Sequence, residues 1–124
     1  MDEKLIQLYN ECLNELKSIG IDIICNKKIG EININLAKRK AKRYGCCKQS
    51  KPVITCYHIE YRNHRRIKVY DAFLKHDIEI SKWVLDLNDD IIKNTIMHEL
   101  IHCLPYCNNH GKEFKYYANF INER

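Results

Sequence analysis

No apolar run in this chain approaches the roughly 18 residues that a membrane-spanning helix needs, which excludes a helical membrane protein. The opening residues, Met1-Asp2-Glu3-Lys4, lack the basic start and the long apolar stretch of a secretory signal, so the expected location is a reducing cytoplasm. Four glycines and two prolines leave no flexible linker, and there is no repeat or low-complexity tract. A chain of 124 residues cannot be divided so that each half buries a core of its own, and residues 1–124 are expected to form one domain. With 45% hydrophobic and 30% charged residues, the composition is also not that of a disordered segment. A disulfide framework is equally out of reach. The seven cysteines are an odd number, no export signal precedes them, and Cys46 and Cys47 are adjacent and poorly placed to bridge each other. They are read as thiols.

The net charge of +5 says little about partners, but its distribution says more. Residues 38–68 carry eleven basic residues and one acid, Glu60, so this stretch is +10 and the remainder is −5. Interleaved with Tyr44, Tyr57 and Tyr61, such a stretch suits a phosphate backbone and exposed bases, through counterion release and stacking. A merely solvated face has the same charge pattern.

Leu5, Tyr9, Cys12 or Leu13, and Leu16 recur at helical spacing and Gly20 supplies a stop, predicting an amphipathic helix over residues 3–18. Short β-branched segments at 21–25 and 31–36 predict extended chain around a turn at Asn26-Lys27-Lys28. Alternation over 53–61 and 66–72, on either side of Arg62-Asn63-His64-Arg65, predicts a hairpin with one buried face. A strand at 77–80 and a short helix at 81–85 follow. Asn88-Asp89-Asp90 then caps a longer helix whose apolar stripe is Ile91, Thr95 or Ile96, and Leu100. Pro105 must end it near His102 or Cys103, because proline lacks an N–H and disfavours helix at the residue before it. A loop to His110-Gly111 leads into a last helix over 112–122, with Phe114, Tyr117 or Ala118, and Ile121 turned inward.

The chemistry sits on the longer helix. His98-Glu99-Leu100-Ile101-His102 is an HExxH pattern, and four residues make about one helical turn, so both imidazoles lie on one face and can reach one zinc ion. Glu99 stands about 100° round the helix, outside that pair but able to act as general base toward a water on the metal. A catalytic zinc usually takes three protein ligands and keeps one open position. The metzincin pattern is excluded, because Pro105 and Asn108 stand where it needs glycine and histidine. Glu123 lies at about the right separation for a later-helix ligand but next to the C-terminus, where fraying is expected. Cys103 and Cys107 have a spacing that structural zinc sites use, but thiolates would weaken the Lewis acidity of the ion. His110 is the preferred third ligand, since the Pro105 break turns the chain back and Gly111 permits an unusual backbone angle beside it. Tyr106, Tyr116 and Tyr117 are candidate oxyanion donors by proximity in sequence. Acceptors for the ligand N–H groups should exist as well, and no carboxylate stands out for that role.

The run Thr95-Ile96-Met97-His98-Glu99-Leu100-Ile101-His102, followed by Cys107-Asn108-Asn109-His110-Gly111-Lys112-Glu113-Phe114, resembles the SprT-like zinc metallopeptidase family. Upstream, Ala41-Lys42-Arg43-Tyr44-Gly45-Cys46-Cys47 is similar to that family's basic stretch, with Tyr44 in place of the usual tryptophan, and Ile78-Glu79-Ile80-Ser81 is similar to the strand before its metal helix. Residues 52–75 look longer than the family's hairpin. The resemblance implies an α+β, minimal zincin-like domain: an N-terminal helix, a small antiparallel β-sheet, the HExxH active-site helix and a C-terminal helix. It further implies Zn2+ held by His98, His102 and His110, with Glu99 as general base. Spartan-type members digest proteins crosslinked to DNA, which implies a protein or peptide substrate and a DNA contact through Lys38, Arg39, Lys40, Lys42 and Arg43.

The expected reaction is hydrolysis of a peptide bond by a zinc-activated water whose proton passes through Glu99 to the leaving amine. The competing expectation, carried by the +10 stretch, is a nucleic-acid-binding module in which the zinc is structural and nothing is cleaved.

Overall fold

The computed structural model describes residues 2–23, 26–27, 29–38, 40 and 42–122. Helix α1 (Glu3–Ser18) starts where the Asp2 carboxylate accepts the Leu5 N–H at 3.0 Å, an N-cap that satisfies one of the free donors of the first turn. It buries Leu5, Leu8, Cys12 and Leu16, one stripe at three- and four-residue spacing, and leaves Tyr9 at the rim of the core. Gly20 follows at φ +92, a left-handed conformation that glycine adopts without strain.

Five strands follow: β1 (Glu31–Leu36), β2 (Gly45–Pro52), β3 (Tyr57–Arg62), β4 (Arg65–Tyr70) and β5 (Phe73–Ile80). A three-stranded sheet has the order β1-β5-β2, with β1 parallel and β2 antiparallel to β5. The sheet is therefore mixed, not the small antiparallel one expected. A parallel neighbour requires a long crossover, and here everything from β2 to β4 lies between β1 and β5. Strand β2 was not anticipated, because Gly45 to Pro52 is polar and β-poor; it pairs along β5 from Gly45 opposite Ile80 to Pro52 opposite Phe73. At Gly45 an added Cβ would stand 3.0 Å from the Glu79 carbonyl oxygen, so the close approach of the two strands requires glycine. Strand β5 begins four residues before the predicted strand and alternates strictly, burying His76, Ile78 and Ile80. Of the extended segment expected at 21–25, residues 21–23 form no strand, and residues 24 and 25 lie outside the described ones.

Strands β3 and β4 form a separate hairpin, closed by Asn63 and His64 at φ 51 and 64, the primed turn that matches strand twist. Its expected buried face is absent: no residue of β3 or β4 is buried. The alternation lies on a ribbon with nothing packed over it, while Cys56, Asp71 and Ala72 at its base are buried instead. Residues 53–56 form a turn, with the Cys56 N–H donating to the Val53 carbonyl, and do not extend β3.

A 3₁₀ turn (Lys82–Asp86) leads to α2 (Asp89–Cys103), whose cap Asn88 accepts the Ile91 N–H at 2.9 Å. Asp89 and Asp90 favour the positive end of the helix dipole. The helix is buried over most of its circumference, by Ile92, Thr95, Ile96, Met97, Leu100, Ile101 and Cys103, with Ile92 rather than Ile91 entering the core. It packs on α1, on β2 and β5, and on α3 (Lys112–Asn122), which supplies Phe114 and Ile121 to the core. Among the described residues, no helix is long and apolar enough to cross a membrane.

Candidate metal centre and cleft

His98 and His102 project from one face of α2 with ring centroids 4.9 Å apart, as one-turn spacing dictates. The helix stops at Cys103, because Leu104 takes an extended conformation ahead of Pro105. The chain then reverses around Tyr106 at φ 67 and is tied down twice to the base of the hairpin. The Tyr106 N–H donates to the Asp71 carbonyl at 2.7 Å, and the Asn108 side-chain amide donates to the Tyr70 carbonyl at 3.1 Å. These two bonds give the long hairpin a structural use, since they hold the loop that carries His110 back over α2. Gly111 does not have the unusual backbone angle expected of it. Its N–H donates to Asn109 Oδ1 at 2.9 Å, and a Cβ there would come within 2.6 Å of that oxygen, so space rather than φ requires the glycine.

The three imidazoles converge. Their ligand nitrogens lie within 4.8 Å of one another, and the Nε2 atoms of His98 and His110 are 3.1 Å apart. Two nitrogens each about 2.0–2.1 Å from one tetrahedral ion would stand about 3.3 Å apart. Phe114, the first buried residue of α3, packs its ring centroid 4.9, 4.7 and 4.9 Å from those of His98, His102 and His110. His102 Nδ1 lies 3.0 Å from the Cys107 carbonyl oxygen, so that nitrogen carries the proton and Nε2 keeps the lone pair a metal needs. Burial lowers the pKa of His98, aided by the charges of His102 and His110, and burial also lowers that of His102. Neutral imidazole, the ligating form, is thereby favoured. This donor set fits a divalent ion such as zinc, and among the described residues no fourth side chain joins the cluster.

Glu99 points elsewhere, as its position on the helix predicts. It is 5% exposed, and its pKa is pushed up to about 7, first by burial and then by the Cys47 thiol, with Arg43 opposing. It lines a cleft of about 500 Å3 together with His98, Arg43, Tyr44, Gly45, Ile91, Asn94 and Thr95. Buried Ser81 fixes the near wall: its hydroxyl donates to the Arg43 carbonyl at 2.6 Å and its N–H to the Tyr44 carbonyl at 2.9 Å. The Tyr44 ring then meets Trp83 edge-on at 4.8 Å. The cleft also borders Gly45, where the outer edge strand β2 begins.

A model of the SprT-like family matches residues 3–124. The chain belongs to the SprT-like family. No curated protein and no solved structure matches it.

Within this family member, the sequence-predicted residues separate cleanly. His98, His102 and His110 are brought together with Glu99 on the adjoining wall, whereas Cys103 and Cys107 are not part of the histidine cluster. The Cys103 thiol donates to the Glu99 carbonyl at 3.5 Å, and the Cys107 side chain is fully buried. Glu123 lies outside the described residues. None of the candidate oxyanion tyrosines lines the cleft: Tyr106 accepts a hydrogen bond from Cys56 at the hairpin base, and Tyr116 packs on Tyr117 and Phe120. Sequence reasoning did not place Asn94 and Arg43 beside Glu99. Asn94 sits one turn before His98, and that spacing was the available signal. The acceptor holding His102 is a backbone carbonyl, for which no side-chain pattern exists.

Proposed function

We propose that this SprT-like protein is a zinc-dependent metallopeptidase. The observation that carries the reading is the convergence of three imidazoles beside a buried carboxylate that opens into a cleft. His98, His102 and His110 would hold the ion, which when bound supplies Lewis acidity for the scissile carbonyl and acidifies a water. Glu99 receives the proton of that water and delivers it to the departing amine nitrogen.

The substrate is an extended peptide. Strand β2 is an edge of the sheet and starts at the cleft, so its free N–H and C=O groups can pair with a segment laid along it. Asn94, Arg43 and Tyr44 are the polar groups such a segment would meet.

Lys38, Lys40, Lys42 and Arg43 are exposed, which supports a DNA contact near the cleft; Arg39, the fifth residue expected in that contact, lies outside the described residues. Lys38, Arg43 and Lys48 also line a second hollow of about 290 Å3. A DNA-associated protein is therefore the proposed substrate class. A binding module with a purely structural zinc has less support, since a structural ion needs neither a buried glutamate beside it nor a cleft. The test is zinc content and cleavage of an unfolded protein by the parent and by His110→Ala. The parent should carry zinc at the histidines and cleave, and the variant should lose both. Cleavage that survives loss of that zinc would overturn the reading.

A further inference from the structure

We propose that Cys47, His76 and Cys103 form a second metal site, about 100° round α2 from His102, suited to a thiolate-preferring ion such as zinc. The three come from three different elements, β2, β5 and α2, and their ligand atoms lie within 4.8 Å of one another. The two sulfurs are 3.9 Å apart. Thiolates about 2.3 Å from a tetrahedral zinc stand about 3.8 Å apart, so the pair is already spaced for an ion. Forming a disulfide would instead require the sulfurs to close to about 2.05 Å.

His76 is prepared as a ligand in the way metal-bound histidines are. It is fully buried, and its Nε2 lies 2.9 Å from the Phe73 carbonyl oxygen, so Nε2 is the protonated nitrogen and Nδ1 has the lone pair. A buried histidine on the face of β5 that also buries Ile78 and Ile80 costs stability unless that lone pair is used. Without metal, the Gln49 amide nitrogen donates to it at 3.1 Å and to the His102 carbonyl at 2.9 Å. With an ion on Nδ1, Gln49 keeps its bond to His102. The donor set of two thiolates and one imidazole is one that zinc accepts and that harder ions such as magnesium do not.

The ion would clamp the edge strand β2 to α2 at the helix turn that carries His102, because Cys103 follows His102 and Gln49 bonds both the His102 carbonyl and His76. Its role is structural: His76 and Cys103 are buried and Cys47 is half-buried, which leaves the fourth position to a water.

Cobalt(II) titration of the reduced, metal-free full chain tests the proposal, because sulfur ligands give a thiolate-to-cobalt charge-transfer absorption and the three-histidine centre contains no sulfur. The parent should take up two equivalents and show that absorption. Cys47→Ser should lose the absorption and one equivalent, while a His98→Ala/His110→Ala variant should lose one equivalent and keep it. One equivalent with the absorption present leaves this site standing and removes the histidine one. A parent without the absorption, its Cys47 and Cys103 still titrating as free thiols, overturns the proposal whether or not the variants fold. So does an absorption unchanged in Cys47→Ser.

Discussion

His102 Nδ1 and the carbonyl oxygen of Cys107 lie 3.0 Å apart, across the break that Pro105 makes in the chain. The bond fixes the tautomer of a helix residue through a loop that also carries His110, so loop geometry and metal affinity are coupled. The loop in turn hangs on the hairpin base, through Tyr106 on Asp71 and Asn108 on Tyr70. Asn108→Ala removes the second of these anchors. Zinc affinity should fall by about tenfold or more, the range seen when outer-shell partners of a metal are lost. Competition with a chromogenic chelator measures it, and an unchanged affinity would separate the hairpin from the site.

Phe114 is the surface on which all three imidazole rings rest. Phe114→Ala should cost about 3–5 kcal/mol of stability, the usual penalty for emptying a buried phenylalanine site. It should also weaken zinc binding, whereas Phe114→Leu should retain most of both. Chemical denaturation with and without zinc reads the two effects separately.

His58 bridges the buried Asp71 and Glu60, with nitrogen–oxygen distances of 2.7 and 2.6 Å. Both carboxylates raise its pKa, Asp71 more than Glu60, so the imidazolium is the form the hairpin base favours. A raised folded-state value means the contribution is fully present below the ordinary histidine value of about 6.5 and is lost as pH rises through the higher folded one. His58 should therefore titrate above 6.5 by proton NMR, and Asp71→Asn should move it back down. A midpoint at or below the ordinary value in the parent would contradict this pairing.

The parts of the fold written in local chemistry were legible in advance. The helix over α1 follows from its apolar spacing and its end from Gly20, the start of α2 from Asn88 and its end from Pro105, and α3 from its apolar spacing. What escaped depends on contacts distant in sequence. Strand β2 has no apolar alternation, because its residues are held by the β5 ladder and not by a buried face of their own. The parallel pairing of β1 with β5 joins residues more than forty apart, which no local pattern encodes. On the ribbon of β3 and β4, alternation was present but nothing packs over it.

The site shows the same division. HExxH on a capped helix already set His98 and His102 on one face with Glu99 apart from them, and the Pro105 break pointed to His110. Nothing local pairs Cys47 with Cys103, because a separation of 56 positions hides a contact that only the packing of β2 on α2 creates. Arg43 was counted with the basic stretch, and the two Ser81 hydrogen bonds that fix its segment beside Glu99 are likewise invisible in the chain.

The central claim is that Glu99 moves the proton while the histidines hold the ion, and the most direct measurement is the single-turnover cleavage rate of zinc-loaded Glu99→Gln on an unfolded protein substrate. The account predicts zinc retained at His98, His102 and His110 and a rate lower by about 10²–10⁴-fold, the usual contribution of general acid–base catalysis. A variant that keeps that zinc and cleaves as fast as the parent would contradict it.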